Sequence, residues 1–297
     1  MNDVNYRKIP ISRWTESGPT ISTDVVAVES VVSLNYNDTE LATLLASPEE
    51  PDDLLIGHLI CEGYLSVDEV RQINAEPVVT ADSNGLAVSL KSEFPLSIKP
   101  RTSGITNTSC GACNIDGLDG IISNLPIVGR KLDFNRSILH EGMETMRQFQ
   151  SGFMKTGGMH CAGLLSVDGT LVYASEDIGR HNAVDKVIGK AIKNQNSQDN
   201  ILLLSGRCGW DIVAKAARAD ISTIASIGAS SSLAGDCARK LGMRIYSFVR
   251  ENSMIIIGSR HQFDQDFKSL YCCIDVMGDD SNGLAPVDKS KLTLSSA

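Results

Sequence analysis

No part of this 297-residue chain reaches the ~18 consecutive apolar residues that a membrane-crossing helix needs. Its first residues, MNDVNYRKIPISRW, hold no apolar stretch of signal-peptide type. A secreted or membrane-spanning protein is therefore not expected. A surplus of positive charge is missing as well. Lys and Arg number 27 against 36 Asp and Glu, a formal net charge of −9, which argues against a surface that follows nucleic-acid phosphates. The eight cysteines do not form a disulfide framework. Cys61, Cys110, Cys113, Cys161, Cys208, Cys237, Cys272 and Cys273 are scattered through a long chain, the pattern of reduced thiols in the cytoplasm. There is no internal repeat. What remains is ordinary globular material: 42% hydrophobic residues over this length suffice for a core without covalent staples.

The spacing of apolar residues predicts a mixed α/β chain. Residues 25–36 are Val-rich and read as one strand. Residues 49–64 follow Ser47-Pro48 and place Leu54, Leu55, Leu59 and Ile60 on one helical face. Residues 86–90 alternate like a strand. A polar, Gly- and Thr-rich segment over 101–114 reads as a loop between two halves. In the second half, residues 138–154 carry Leu139, Met143, Met146, Phe149 and Phe153 at helical spacing. Asp168-Gly169 between two short apolar runs predicts a hairpin whose two turn positions both take positive φ. Helices over 184–192, 211–219 and 232–241 alternate with strands over 201–204, 222–227 and 244–249, and 254–257 adds another strand. Strand–helix alternation implies right-handed βαβ units and a largely parallel sheet. The tail from 278 onward is polar and reads as disordered.

The most chemically suggestive pair is Cys110-Gly111-Ala112-Cys113, inside the polar loop. Two thiols three residues apart can share one ligand, one disulfide or one transferred sulfur atom, and the spacing tends to lower one thiol's pKa. A structural zinc site needs two more ligands, yet there is no second C-x-x-C and the other cysteines are single apart from Cys272-Cys273. A thioredoxin-like site needs the pair to open a helix after a strand, and residues 101–109 do not read as a strand. Thr156-Gly157-Gly158-Met159-His160-Cys161 offers an imidazole after two glycines. The simpler reading is a glycine helix end with His160 packed on the sheet and Cys161 in the core. Glu176-Asp177-Ile178-Gly179-Arg180-His181-Asn182-Ala183-Val184-Asp185-Lys186 is the densest charged cluster. Arg180, His181 and the free N–H groups of a helix start suit a phosphate. The competing reading is a solvated turn with ordinary ion pairs. Ser205-Gly206-Arg207 and Ala229-Ser230-Ser231-Ser232 each follow a strand, where ligands bind in open parallel sheets. Arg250 stands at the end of a further strand.

Taken together, these segments resemble the formate dehydrogenase accessory sulfurtransferase family (FdhD) over residues 25–258. Ser109-Cys110-Gly111-Ala112-Cys113, the T-G-G-M-H string ending at His160 and the E-D-I-G-R-H-N-A-V-D-K string ending at Lys186 carry the resemblance, with Ser205-Gly206-Arg207 following in the same order. The resemblance implies a sulfurtransferase that takes persulfide sulfur from a cysteine desulfurase. It passes that sulfur to the molybdenum bis(molybdopterin guanine dinucleotide) cofactor, which is bound as a substrate, for use by formate dehydrogenase. It places the persulfide on Cys110, with Cys113 beside it. It places cofactor binding on Phe248, Val249, Arg250, Glu251, Asn252 and Ser253, near Arg207 and His181, with no permanently bound metal. It also implies a cytidine-deaminase-like three-layer α/β domain with a smaller N-terminal α/β domain, assembled as a homodimer. The corresponding ranges are 1–115 for the smaller domain ending in the C-x-x-C loop, 116–260 for the cofactor-binding domain and 261–297 for the tail. Two departures stand out. The family's Gly-Arg pair is replaced by Asn252-Ser253, and Asn114 stands where Gly is usual.

Two other function classes compete with sulfur transfer. One is a cofactor-binding chaperone in which the thiols are incidental. The other is a nucleotide deaminase or hydrolase, but zinc deaminases carry H/C-x-E and P-C-x-x-C, and no Pro precedes Cys110.

Overall fold

The short run Asn200–Leu204 fixes the middle of the molecule because its residues are buried on both faces. Ile201 and Leu203 point into one core and Leu202 and Leu204 into another, which is the period-two alternation of a central strand covered on each side. The structure is a computed structural model that describes residues 5–83, 85–100, 122–195 and 200–258. The C-x-x-C pair and the tail 261–297 lie outside these residues.

The chain opens with an antiparallel ribbon, β1 (Tyr6–Thr15) with β2 (Gly18–Ala27). A four-stranded sheet follows in the order β4 (Thr39–Ala46), β3 (Ser30–Tyr36), β6 (Gly85–Leu90), β5 (Val78–Asp82). Between β4 and β5 come helices α1 (Pro51–Cys61) and α2 (Val67–Arg71). The second half contributes α3 (Ser137–Gln148) and α4 (Ser151–Thr156), then β7 (His160–Ser166) and β8 (Leu171–Asp177). Next are α5 (Arg180–Lys193), β9 (Asn200–Leu204), α6 (Trp210–Arg218), β10 (Thr223–Ser226) and α7 (Ser232–Leu241). The hairpin β11 (Arg244–Arg250) and β12 (Ser253–Ile257) completes a six-stranded sheet, ordered β12-β11-β10-β9-β7-β8.

Helices cover both faces of that sheet, so the α/β class expected from the sequence is the one found. On one face Leu139, Met143 and Met146 of α3 meet Cys161, Leu203, Ala225 and Tyr246. On the other, Val184, Ile212 and Ala238 of α5, α6 and α7 meet Leu164, Leu202, Ile224 and Ile245. The same buried cluster continues through Leu55 and Leu59 of α1 to Val32, Leu34 and Val88 of the four-stranded sheet. Where α1 crosses α5 the backbones nearly touch. A Cβ on Gly57 would lie 1.7 Å from the Asp185 carbonyl oxygen, and one on Gly189 would lie 1.9 Å from the Asp53 carbonyl oxygen. Only glycine permits this approach. Among the described residues, no helix is long and apolar enough to cross a membrane.

Four sequence expectations are corrected. The sheet is not largely parallel: β9, β10 and β11 are mutually parallel, but the β7–β8, β7–β9 and β11–β12 pairings are antiparallel. Residues 25–36 are not one strand. The chain leaves the ribbon at Ala27 and enters the four-stranded sheet at Ser30, with Val28 N–H donating to the Asn5 carbonyl at 2.7 Å. Residues 138–154 are not one helix. The Glu176 carboxylate accepts from the N–H groups of Gly152 (2.7 Å) and Phe153 (2.9 Å) and so starts a second helix there. Phe149 and Phe153 are accordingly exposed. Finally, in the Asp168-Gly169 turn only Gly169 takes positive φ (+92°). Gly169 N–H bonds to the Ser166 carbonyl and Ser166 N–H to the Thr170 carbonyl, a three-residue loop with glycine at the left-handed position.

Candidate functional site

Parallel β9, β10 and β11 all end on the same side of the sheet, and antiparallel β7 begins there with His160. Hydrogen bonds tie these ends together. Cys161 N–H donates to Ser205 Oγ at 2.8 Å, and Ser226 Oγ donates to the Gly206 carbonyl at 2.5 Å. Phe248 N–H reaches the Gly228 carbonyl at 3.1 Å, and the hydroxyls of Ser230 and Ser247 share a bond at 2.5 Å. Arg250 is held by its guanidinium, which donates to the carbonyls of Ile227 (3.0 Å) and Val249 (2.8 Å). Gly206 lies against the His160 ring, so closely that a Cβ would sit 3.1 Å from Nδ1.

The result is a cluster of cations around one imidazole. Burial, Arg180, His181 and Arg207 together push the His160 pKa below the ordinary histidine value. Arg180 and His181 open α5, and both face Asp211 at the start of α6. His181 Nε2 bonds Asp211 Oδ2, and an Arg180 guanidinium nitrogen lies 3.7 Å from the same oxygen. Asp211 is lowered although burial opposes this, because His181 and Arg180 outweigh it. Arg207 is exposed at the rim. A cleft of about 590 Å³ runs from His160, Ser205 and Arg250 toward α3 and α4, where Met143, Met146, Gln150 and Phe153 line it.

The structure brings Arg207, His181, Val249 and Arg250 to this end of the sheet, with Val249 and Arg250 lining the cleft itself. The remaining residues of the 248–253 stretch do not line it. Phe248 is half exposed at a register shift between Ser247 and Arg250, with φ +51°. That is a strained conformation for a bulky residue. Arg250 pairs with Ser253 across the hairpin, which leaves Glu251 and Asn252 as its exposed turn. Cys110 and Cys113 fall outside the described residues. All four described cysteines are buried. Burial first, and then acidic neighbours, hold Cys61 well above the ordinary thiol value, push Cys161 and Cys208 up to about 12, and raise Cys237.

The charged string from Glu176 to Lys186 divides between two jobs. Arg180 and His181 face the site. The rest is architecture. Asp177 is fully buried and accepts from Ser47 N–H (3.0 Å), Gly179 N–H (2.8 Å) and Asn182 Nδ2 (3.1 Å), with Lys186 Nζ at 2.6 Å. Lys186 also donates to the Ser47 carbonyl and Asn182 to the Leu45 carbonyl, both at 2.9 Å. These bonds fasten α5 to the end of β4. Asp185 receives Lys215 Nζ at 2.7 and 2.9 Å and His58 Nδ1 at 3.3 Å, while Lys215 reaches Glu62 at 2.8 Å. His58, Glu62 and Asp185 have the spacing of a metal site, but the Lys215 ammonium already supplies the positive charge between the two carboxylates. Sequence reasoning missed this network of ion pairs and hydrogen bonds. Their partners are far apart in the chain, so no local pattern announces them.

The molecule is thus a mixed α/β protein with a cation-rimmed cleft at the carboxyl ends of parallel strands. The FdhD/NarQ family model matches residues 27–263, most of the chain, and the protein belongs to the FdhD/NarQ family. The sulfur carrier protein FdhD of Nocardia farcinica is 32% identical over 263 residues, 85% of this chain and 92% of that protein. The protein of the same name from Sulfolobus acidocaldarius is 30% identical over 88% of this chain and all of its own length. The crystal structure of a putative formate dehydrogenase accessory protein from Desulfotalea psychrophila shares the fold. Its TM-score is 0.66 at 20% identity, over 87% of this chain and 99% of that one.

Proposed function

We propose that this chain is a cytoplasmic sulfur carrier, acting as a homodimer, that moves sulfur from a cysteine desulfurase to the molybdenum bis-guanine-dinucleotide cofactor destined for formate dehydrogenase. The observation that carries the cargo half is the gathering of His160, Arg180, His181, Arg207 and Arg250 at the strand ends. A diphosphate-bearing ligand is the natural occupant of such a cluster. The thiol half rests on Cys110 and Cys113. Support for them comes from the four described cysteines, which are buried and held as protonated thiols and so make poor nucleophiles.

The transfer is a sulfur exchange. The Cys110 thiolate attacks the terminal sulfur of the donor persulfide; one S–S bond forms, one breaks, and the donor leaves as a thiolate. Cys110 then carries the sulfur to the cargo. Attack of the Cys113 thiolate on Cys110 Sγ releases it as sulfide and leaves a Cys110–Cys113 disulfide, so the two electrons the sulfide gains come from the thiol pair. Arg207, Arg250 and Arg180 hold the phosphates, and Asp211 orients His181 among them.

Mass spectrometry of the protein after incubation with a cysteine desulfurase and cysteine tests the reading. The wild type should gain one sulfur atom, on Cys110, and Cys110→Ala should gain none. Equal loading of the variant would refute the assignment. Full support of formate dehydrogenase by a Cys110→Ala, Cys113→Ala double variant would point to a chaperone instead.

A further inference from the structure

Among the described residues the β1–β2 ribbon joins no larger sheet. Its root is fastened: Val28 N–H donates to the Asn5 carbonyl, Lys155 Nζ bonds the Tyr6 hydroxyl, and Ala27 lies against Gly158. Beyond the root come its own ladder and the Arg13–Asp24 ion pair at 3.2 Å. Ten residues per strand give it a length of about 34 Å. A two-stranded hairpin by itself is only marginally stable in water. Residues opposite one another in the register share a face, which puts Pro10, Trp14, Pro19 and Ile21 together. Trp14 is 77% exposed and Ile21 92%. A second open edge lies on the four-stranded sheet. Among the described residues β5 pairs with β6 alone, and all five of its residues are exposed, Val78 to 61%. Such an edge is a template for one more strand.

We propose that the ribbon covers this edge on a second copy of the chain: residues 20–24 of β2 pair with β5 of the second copy, and the exchange is reciprocal. The inference rests on the homodimer reading above and supplies its surface. β2 is the pairing strand because Pro10 interrupts β1, whereas β2 has no proline beyond Pro19 near the tip. The strands run antiparallel. A parallel order would set Asp24 against Asp82, two like charges. The antiparallel order sets Asp24 against Val78, Thr23 against Val79 and Ile21 against Ala81. It also brings Arg13, the ribbon neighbour of Thr20, toward Asp82. Overall charge agrees. The ribbon holds Arg7, Lys8 and Arg13 against Glu16 and Asp24, a net charge of +1, on a chain of net charge −9. Covering one face of each ribbon, about 34 by 10 Å, buries about 1,400 Å² over both copies. A stable interface buries about 1,200–2,000 Å². A one-way contact would leave a free ribbon and a free β5 on every complex and grow into filaments, whereas exchange closes the pair.

Size-exclusion chromatography with light scattering on the full chain tests it, over a dilution series of the wild type, Ile21→Asp and Val79→Asp. Both substitutions replace exposed side chains, so far-UV circular dichroism should not change. The wild type should run at twice the 31.9 kDa mass of the chain. Each variant should raise the dimer dissociation constant about tenfold or more, because it places a carboxylate inside the contact. In the Thr23→Cys, Val79→Cys double variant, mild oxidation should link position 23 of one copy to position 79 of the other, as mapped by mass spectrometry of the two-chain species. Dimers that both aspartate variants leave intact would refute the surface while the homodimer stands. Dissociation by Ile21→Asp alone, or a two-chain species without the 23–79 link, would overturn the pairing with β5. A wild type that is monomeric at every concentration would bring down the homodimer reading as well.

Discussion

Lys215→Met tests whether the buried charge network holds the two halves of the chain together. The Lys215 ammonium is 1% exposed and lies between Asp185, also 1% exposed, and Glu62. Removing the cation leaves both carboxylates facing each other, with His58 and Arg218 beside them. Breaking one partner of a buried ion pair typically costs about 3–5 kcal/mol. The proton equilibrium gives an independent figure. Burial raises the Glu62 pKa, but Lys215, with His58 and Arg218, overcomes this and lowers it from 4.5 to about 2. That drop corresponds to about 3 kcal/mol of native stability. The contribution is fully present above the ordinary Glu value and is lost as pH falls toward 2. Asp185 is lowered by the same neighbours and acts in the same direction. Lys215 is raised, so its own share is complete below its ordinary value of 10.5 and fades only at more alkaline pH. Urea unfolding should therefore show Lys215→Met about 3–5 kcal/mol less stable at pH 7. The gap should narrow below pH ~4 as protonation discharges the carboxylates. A variant as stable as the wild type at pH 7, or a gap that does not change with pH, would refute the reasoning.

Three further outcomes follow from the geometry. Gly57→Ala forces a methyl group to within 1.7 Å of the Asp185 carbonyl oxygen, so α1 and α5 must separate at a cost of about 3 kcal/mol; an unchanged urea midpoint would contradict the close crossing. Arg180→Gln removes one of the charges that depress His160, so the NMR titration midpoint of His160 should rise, and a fall or no change would place Arg180 elsewhere. Arg207→Gln should weaken pyrophosphate binding about tenfold and flatten its dependence on salt, whereas unaltered calorimetric affinity would remove Arg207 from the phosphate site.

Much of the second half could be read from local pattern. The helices beginning at Arg180, Trp210 and Ser232 and the strands between them follow from apolar period and turn residues, because each buries one stripe against one sheet. The loops after β9 and β10 were legible as strand-end turns for the same reason. The strings around Cys110, His160 and Glu176 were specific enough to point to the FdhD family before any geometry was considered. Local pattern failed where a distant group decided the matter. Residues 138–154 read as one amphipathic helix because the Glu176 carboxylate that restarts the chain at Ser151 lies 25 positions further on. The β1–β2 ribbon escaped notice because its apolar residues, Trp14 and Ile21 among them, are exposed and not ordered toward a core.

By itself, then, the sequence determined the α/β class, the succession of elements in the second half and the family, since these depend on neighbours in the chain and on the order of motifs. Only the tertiary structure decided what the charged string does. The sequence offered two readings of the whole string, a phosphate site built on Arg180 and His181 or a turn with ordinary ion pairs, because charge and spacing are the same whichever way a side chain faces. Packing against Ser47, His58 and Lys215 turned Asp177, Asp185 and Lys186 inward as fasteners. It left Arg180 and His181 at the strand ends beside His160. It also placed Gln150, which no motif contains, in the lining of the cleft.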